Sequence, residues 1–247
     1  MYSARIDAKP TTFGTSGMLY RSNKLMYDRE TNTLWSSLLG VPVIGPLARR
    51  NDLRLEIFPV ALTTWWEWLN ENPDTTVLSR NTAFYRRDTY RPEDSAGSAY
   101  YRYRTDPDTM FPVWNRDDRL GTKAEVLGIS VGDNHKAYPV SSLRALRVVN
   151  DRVGDLDIVI VSSSISSDIR VYERIGQEFH LPSTATSFDG RPSIIIDQNG
   201  DIWTAAETAL VSENGSATLR RLPSNIYFWF AWFAFHPETV LYESRQK

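Results

Sequence analysis

Two stretches of the chain carry the same residues in the same order at one constant separation. The matched pairs are Pro59 and Pro223, Trp65 and Trp229, Trp68 and Trp232, Pro73 and Pro237, and Thr75 and Thr239. Ordered self-similarity of this kind is typical of a structural unit that occurs twice in one chain. We therefore predict an α+β fold built by internal duplication, with two related β-rich lobes and one Trp-bearing helix covering each lobe.

Local composition divides the chain into three parts. Residues 1–79 contain short apolar runs separated by Gly, Asn and Asp turn signals, followed by a helix that Thr63 or Thr64 caps and that ends before Pro73. Residues 80–123 are rich in Arg, Tyr and turn formers and show little apolar periodicity. We predict a first lobe over 1–79, a Tyr/Arg-rich connector over 80–123 and a second lobe over 124–247.

The second lobe contains the apolar and aromatic run IYFWFAWFAF at 226–235. This run is about half the length that a membrane-spanning helix needs. His236-Pro237 follows it, as Asn72-Pro73 follows the first Trp-rich segment. We interpret 226–235 as a buried helix, and the tryptophans spaced i and i+3 in both helices as core residues. Exposed tryptophans that stack on a ligand are the alternative hypothesis.

The two halves of the repeat are unequal at their starts. Residues 124–171 of the second lobe have no counterpart ahead of residue 1, and segment 2–6 already has the pattern of a strand. We expect a first lobe that is N-terminally incomplete and a chain that is shortened relative to a longer ancestor or gene product. Segments 2–6 and 13–19 would then present unpaired strand edges, so we expect self-association through them.

Charge and composition argue against several classes of function. The net charge is −2 and the pI is near 6.0, so we expect no nucleic-acid partner. The chain has no cysteine, and His135, His180 and His236 stand far apart, so we predict neither a metal site nor a cofactor. The sequence shows no signal peptide and no transmembrane segment. As written it predicts a cytoplasmic protein, unless an upstream extension carries an export signal.

Two polar clusters near the start of the chain are candidate sites, each with an ordinary structural alternative. The FGTSG stretch at 13–17 offers backbone N–H groups and the Ser16 hydroxyl to an anion, or else is a glycine-rich turn. Asp28 and Arg29 offer a base and an anion clamp, or else a local ion pair on a hairpin.

Three later features also allow a functional and a structural interpretation. Asn150 and Asp151 offer a catalytic pair, or else ordinary turn chemistry ahead of Gly154. Segment 80–104 interleaves Arg and Tyr as single-stranded nucleic-acid surfaces do, yet the net charge favours a connector that packs its Tyr rings onto both lobes. His236 is expected to contact the terminal carbonyls of the second Trp-bearing helix.

Several motifs follow one another in a set order along the chain. They are FGTSGMLY at 13–20, LMYDRET at 25–31, LWS at 34–36, IGPL at 44–47, the two Trp-rich segments, AYP at 137–139 and VNDRVG at 149–154. In this order they resemble one bacterial family of unknown function, DUF3179, over nearly the whole chain. The resemblance implies no reaction, because the family is uncharacterised. It implies an earlier block with a Cys-Pro-Leu-Cys-type motif, which this chain lacks; the second-repeat equivalent is the serine-rich stretch 162–167, called the serine loop below.

These observations favour a binding or structural module without intact catalytic machinery, because the sequence shows no nucleophile–base constellation and no metal-ligand spacing. Two alternatives stay open. One is an enzyme with a polar site between the lobes that uses Ser16, Asp28, Arg29, Asn150 or Asp151. The other is the remnant of a thiol redox or metal-binding protein whose cysteine motif is absent here.

Overall fold

The computed structural model describes residues 1–92, 95–183 and 189–243, which form four α-helices and seventeen β-strands. The helices are α1 (Trp65–Glu71), α2 (Tyr101–Thr105), α3 (Val140–Leu146) and α4 (Trp229–Phe235), and a short 3-10 helix spans Arg87–Thr89. The strands are β1 (Arg5–Ile6), β2 (Lys9–Pro10), β3 (Phe13–Tyr20), β4 (Asn23–Asp28), β5 (Leu34–Ser36), β6 (Pro42–Ile44), β7 (Glu125–Val131), β8 (Asn134–Pro139), β9 (Val148–Val153), β10 (Leu156–Ser162), β11 (Ile169–Glu173), β12 (Ile194–Ile196), β13 (Ile202–Ala205), β14 (Ala209–Ser212), β15 (Thr218–Leu222), β16 (Asn225–Phe228) and β17 (Val240–Leu241). The fold is therefore mixed and mostly β, as an α+β class requires.

The described strands form four sheets. β1 and β2 make a two-stranded ribbon, and β3 to β6 make an antiparallel meander. Seven strands form the largest of the four sheets, in the order β12-β13-β14-β15-β11-β10-β9. The fourth sheet has the order β16-β7-β8-β17, in which β17 runs parallel to β8.

The seven-stranded sheet holds the main core. Residues 158–162 of β10 are all buried, because alternate side chains enter clusters on opposite faces of the sheet. Ile158 and Ile160 join the cluster beneath α3, whereas Val159 and Val161 join the cluster around β13. A strand covered on both faces needs a continuous apolar run, and residues 157–162 (DIVIVS) supply one.

Helix α4 packs against β7 and β16 with its tryptophans in the core. Trp229 is 0% exposed and Trp232 is 2% exposed. Gly128 of β7 makes this contact possible, because a Cβ at that position would overlap the ring of Trp232. The buried indole of Trp232 keeps a hydrogen-bond partner, since its Nε1 donates to Thr239 Oγ1 at 2.9 Å.

The run 226–235 is helical only in its second part. Residues Asn225–Phe228 form β16, which pairs antiparallel with β7, and α4 begins at Trp229. The prediction of one buried helix over 226–235 is wrong for this first part. Periodicity does not separate a buried strand from a buried helix in a short apolar run, and here backbone pairing with β7 decides the outcome. No helix in the described part of the chain has the length and apolar character needed to cross a membrane.

Helix α1 begins and ends where the sequence predicts, but it packs differently from α4. Thr64 is the N-cap, and its Oγ1 accepts from the Glu67 N–H at 3.2 Å. Trp65 and Trp66 are 48% and 52% exposed, so the prediction of Trp65 as a core residue is wrong. The physical reason is that α1 buries one charged side chain, Glu67, where α4 buries an apolar surface.

Matching hydrogen bonds occur in both halves of the chain. Trp68 Nε1 donates to Thr75 Oγ1 at 3.0 Å, and Trp232 makes the same bond to Thr239. The two bonds join residues seven positions apart, from the helix to the chain that leaves it. The sequence match between these segments therefore corresponds to one recurring local structure.

Much of the connector is exposed. Tyr85 and Tyr100 are 67% and 64% exposed, and Tyr85 contacts Tyr90 within the connector at a ring-centroid distance of 6.4 Å. Tyr103 packs beside β16, with its ring 6.1 Å from the ring of Phe228. The prediction that the connector packs its Tyr rings onto both lobes is wrong for Tyr85 and Tyr100, because neighbouring arginines favour contact with water over burial.

The two predicted N-terminal strand edges differ in their pairing. Segment 2–6 has partners, since the Ser3 N–H donates to the Glu56 carbonyl at 2.8 Å and the Phe58 N–H donates to the Met1 carbonyl at 2.9 Å. The expectation of an unpaired edge is wrong there, because the chain returns alongside it. β3 lies at the edge of its sheet, and self-association through this strand stays a prediction.

Candidate functional site

Ser16 and Arg29, two of the predicted site residues, contact their own hairpin. The Ser16 hydroxyl donates to the Leu25 carbonyl at 2.6 Å, across from β3 to β4. Arg29 Nη1 donates to the Tyr27 hydroxyl at 2.9 Å. Neither contact places the side chain beside a base, a nucleophile or a second anion-binding group, and both contacts stabilise the hairpin.

The carboxylate of Asp28 is used within the same hairpin. It accepts from the Thr31 N–H at 2.6 Å, from Thr31 Oγ1 at 2.8 Å and from Trp35 Nε1 at 3.0 Å. Burial raises the pKa of Asp28, but these hydrogen bonds outweigh burial and lower the pKa below its usual value. The second half repeats the arrangement, with Trp203 Nε1 donating to Asp197 Oδ2 at 3.1 Å. The contacts of Asp28 therefore favour closure of the hairpin over service as a base.

Asn150 and Asp151 lie on β9, in a different sheet from the first three candidates. Asn150 exchanges two hydrogen bonds with the backbone of Phe179, at 2.7 and 2.9 Å. Asp151 Oδ2 accepts from the Tyr138 hydroxyl at 2.9 Å and lies 2.7 Å from Lys136 Nζ. The structure therefore does not bring the five predicted residues into one site.

An open cleft of about 650 Å³ adjoins Asn150 and Asp151. Acidic and basic side chains line it, and each of three basic side chains forms an ion pair with a nearby acidic side chain. The pairs are Lys136 with Asp151 at 2.7 Å, Arg152 with Asp157 at 3.8 Å, and Arg174 with Glu178 at 2.7 Å. Because each lining cation already faces an anion, the cleft offers little uncompensated charge to a ligand.

Four charged side chains form a closed ring between α1 and β11. Arg170 Nη2 donates to Glu71 Oε2 at 2.8 Å, and Arg191 Nη2 donates to the other oxygen of Glu71. Asp168 completes the ring, with Oδ2 3.3 Å from Arg191 Nε and Oδ1 3.6 Å from Arg170 Nε. Asp168 and the two arginines are buried. Glu207 Oε2 also lies 3.2 Å from Arg170 Nη2, so both buried arginines are paired with carboxylates, as such burial requires.

Glu67 connects the N-terminus of α1 to the serine loop. Its carboxylate accepts from Thr64 Oγ1 at 3.0 Å and from the Arg191 N–H at 3.2 Å, and the hydroxyls of Ser163 and Ser166 help to lower its pKa. Burial raises the pKa of Glu67, but the hydrogen bonds outweigh burial and the net pKa is lowered. Helix α1 is therefore anchored to the second half of the chain by an ionised, hydrogen-bonded carboxylate.

A cavity of about 170 Å³, the polar cavity, adjoins the ring of charges. Its lining includes Trp66, Glu67, Asn70, Glu71, Asp168 and Arg191. Asp168 Oδ1 makes no hydrogen bond to the described residues, although Arg170 Nε is within ion-pair distance. Burial raises the pKa of Asp168 and outweighs the lowering by Arg191 and Arg170. Two carboxyl groups whose pKa values move in opposite directions, as those of Asp168 and Glu67 do, are a feature of acid–base sites.

A second cavity of about 530 Å³, the apolar cavity, lies where the β3–β4 hairpin, the connector and α4 meet. Aromatic, aliphatic and small residues dominate its lining, which includes Met18, Leu19, Met110, Phe111, Tyr227 and Phe230. The Ser22 hydroxyl donates to the Pro112 carbonyl at 2.7 Å and fastens the connector wall to the hairpin. A concave, mainly apolar cavity of this size is typical of a small-molecule site.

The two cavities lie at matching positions of the two Trp-bearing helices. Trp66 and Glu67 line the polar cavity, and Phe230 and Ala231 line the apolar cavity at the same separation as the matched tryptophans. Glu67 binds the serine loop, whereas Ala231 presents only a methyl group. Matching helix positions thus face a small charged cavity in one half and a larger apolar cavity in the other.

Neither cavity was predicted from the sequence. The signal for the charged ring is the placement of Asp168 just before β11 and of Arg170 within its buried part, since a buried strand carries charges only when they are paired. Their partners Glu71 and Arg191 lie far away in sequence and become neighbours only in the folded chain. The apolar cavity has no local motif, because its walls come from three separate segments.

A family model described as Protein of unknown function (DUF3179) matches residues 1–239 of the chain. The resemblance seen in the ordered motifs is thereby confirmed, and the match includes both halves and the connector. No curated protein and no solved structure matches the chain. The comparisons therefore establish a family without assigning a ligand, a reaction or a partner.

Proposed function

The chain belongs to DUF3179, a protein family of unknown function, and within it we propose a small-molecule binding module whose ligand site is the apolar cavity. The observation that carries this proposal is a cavity of about 530 Å³ with a mainly apolar and aromatic lining. Small-molecule sites occupy about 300–1,000 Å³ and have linings of this kind. Met18 and Met110 lie in the wall, and the flexible, polarizable side chain of methionine suits contact with ligands of varied shape.

The contacts of the sequence candidates support binding over catalysis. Ser16, Asp28 and Asn150 each use their polar atoms in bonds that close a hairpin or join two segments. A catalytic nucleophile needs a base within hydrogen-bond reach, and the acceptor of the Ser16 hydroxyl is instead a backbone carbonyl. These side chains therefore serve to stabilise the fold.

The proposal includes internal duplication, with related units at 1–79 and 124–247 joined by the connector 80–123. Three kinds of matching contact support it: the Trp–Thr bonds after the helices, the Asp–Trp bonds in the hairpins, and an edge-on phenylalanine against each hairpin indole. The phenylalanine contacts are Phe13 on Trp35 at 6.0 Å and Phe179 on Trp203 at 5.5 Å. In a duplicated fold, the serine loop and ion pairs fill most of one cavity while the other is free to hold a ligand.

Titration with N-phenyl-1-naphthylamine, an uncharged dye that fluoresces in apolar surroundings, tests the binding site. We expect saturable binding of one dye molecule per chain. Phe111→Ala removes part of the cavity wall, and the lost apolar contact of about 1.5 kcal/mol should weaken dye binding about tenfold. Phe111 is half exposed, so the variant should keep the fold.

Trp114→Ala is the matched control for this titration. Trp114 lies in the same stretch of connector, is 92% exposed and is absent from the cavity lining. We expect it to bind the dye as the unaltered protein does. Non-saturable binding, or equal weakening by both substitutions, would contradict the assignment of the site.

The polar cavity supports a second candidate function, an enzyme with a site between the two halves. The observation in its favour is that Glu67 and Asp168, whose pKa values move in opposite directions, line one cavity. A screen of p-nitrophenyl esters, phosphates and glycosides at pH 5 to 8 tests it. Turnover that Glu71→Gln reduces and Asp28→Asn does not would favour the enzyme, whereas turnover that both variants retain equally would exclude the ring as its site.

A further inference from the structure

Lys24 is the one charged side chain among the described residues that line the apolar cavity. It lies on β4 with an exposed side chain, and it forms no ion pair with the described part of the chain. No carboxylate lines the cavity to balance it. An uncompensated cation at the rim of an apolar cavity attracts a negatively charged group on a ligand whose body is apolar.

Two tyrosine hydroxyls that line the cavity carry no negative charge that would neutralise Lys24. Burial raises the pKa of Tyr103 and of Tyr227, so both phenols stay neutral at physiological pH. The Tyr227 hydroxyl accepts from Asn225 Nδ2 at 3.2 Å. Nearby, Lys123 Nζ is committed to the connector, since it donates to the carbonyls of Tyr103 and of Asp106.

We propose that the apolar cavity binds an amphipathic monocarboxylate, with its hydrocarbon or aromatic body among Met18, Met110 and Phe111 and its carboxylate beside Lys24. This inference rests on the proposed function and names the ligand class for the same site. A single flexible ammonium matches a single negative charge. A phosphate dianion is a poorer match, because the lining holds no arginine to form paired hydrogen bonds with it.

Displacement of bound N-phenyl-1-naphthylamine by three ligands with the same ten-carbon chain tests the head group. The ligands are decanoate, decanol and decylamine, each used below its aggregation threshold. We expect decanoate to bind about fivefold more tightly than decanol, the gain typical of an ion pair that stays partly hydrated, and decylamine to bind most weakly.

Substitutions at Lys24 assign this preference to its charge. Lys24→Met should bring decanoate to the affinity of decanol while leaving decanol unchanged, and Lys24→Arg should retain the preference. Lys9→Met is the matched control, because Lys9 is exposed on β2 and does not line the cavity. It should leave all three affinities unchanged.

The outcomes separate the head-group inference from the proposed site. Equal affinities of the three ligands for the unaltered protein, or a decanoate preference that Lys24→Met leaves intact, would overturn the carboxylate inference while the apolar site stands. Failure of the dye and of all three ligands to bind would overturn the site itself. Loss of the decanoate preference in Lys9→Met as well would attribute the effect to overall charge and also overturn the role of Lys24.

Discussion

Glu67 of α1 and Ala231 of α4 occupy matching helix positions and line cavities of opposite character. Glu67 is 6% exposed and holds the serine loop, the N-cap of its own helix and the Arg191 N–H. Ala231 is 7% exposed and belongs to an apolar cluster with Phe230 and Phe235. The side chain at this helix position is thus a charged anchor in one half of the chain and part of an apolar wall in the other.

Glu67→Gln should destabilise the fold by about 1–3 kcal/mol. The substitution keeps the shape of the side chain but removes the charge that the Ser163 and Ser166 hydroxyls and the Arg191 N–H stabilise. Urea unfolding followed by tryptophan fluorescence measures the change. Glu30→Gln, at an exposed position after β4, is the control and should leave stability unaltered; an equal loss in both variants would contradict the anchoring role.

Arg191→Met should lower the unfolding free energy by about 3 kcal/mol, because it leaves the buried carboxylate of Asp168 without the hydrogen bond from Arg191 Nε and with one cation fewer to offset its burial. The effect should persist at high salt, since buried pairs are poorly screened. Glu71→Gln in the same background should show a coupling energy of about 1 kcal/mol or more. Additive effects of the two substitutions would contradict a closed ring. The exposed Asp52 beside Arg50 provides the comparison, and Asp52→Asn should have no measurable effect.

Asp28→Asn and Asp197→Asn should destabilise the protein by similar amounts, about 1–2 kcal/mol each. Each substitution weakens a charge-assisted hydrogen bond from a buried indole, Trp35 in one hairpin and Trp203 in the other. Urea unfolding gives the energies, and near-ultraviolet circular dichroism reports the packing of the two indoles. A large loss for one aspartate and none for the other would argue against equivalent hairpins.

His236→Asn should reduce the loss of stability at acidic pH. Burial, and then the charges of His135, Arg54 and Arg21, lower the pKa of His236 to about 4. The unfolded chain, with an ordinary histidine pKa near 6.5, therefore takes up a proton that the folded chain does not. Stability should fall as the pH falls from about 6.5 to about 4, by about 2 kcal/mol after allowance for solvent screening.

The counterpart of His236 in the first half suggests the replacement. Asn72 ends α1 with φ −132° and ψ 69°, close to the φ −128° and ψ 66° of His236 at the end of α4, so asparagine fits this backbone. Urea unfolding between pH 4 and pH 7.5 measures the difference between variant and unaltered protein. An identical pH dependence in both proteins would contradict the assignment to His236.

Gly128→Ala should destabilise the fold by about 2 kcal/mol, because the added methyl group overlaps the ring of Trp232 and pushes α4 away from β7. Gly121→Ala is the control, since a Cβ there meets no neighbouring atom. Thermal unfolding of both variants tests the prediction. Because α4 forms one wall of the apolar cavity, Gly128→Ala should also weaken dye binding. Unchanged binding together with unchanged stability would contradict the close packing of α4 on Gly128.

The sequence alone was sufficient to predict those structural elements whose signals lie within a few neighbouring residues. Thr64 caps α1, Pro73 follows its end, and the buried run at 157–162 lies almost wholly in β10. Each of these rests on a steric or hydrogen-bonding rule that acts within a few residues. The matched tryptophans belong to the same class, because their spacing alone indicates recurrence of one local structure.

Tertiary structure decided what depends on distant partners. Residues 225–228 became a strand because β7 supplies backbone hydrogen bonds. Trp65 stayed exposed while Trp229 was buried, although the two residues match in sequence, because their helices meet different surroundings. The ring of charges and the apolar cavity arise where segments far apart in sequence meet. The sequence itself therefore determined the local structures at the matched tryptophans. Only the packing of distant segments determined where the cavities and the ring of charges lie, since burial and charge compensation are properties of neighbours in space.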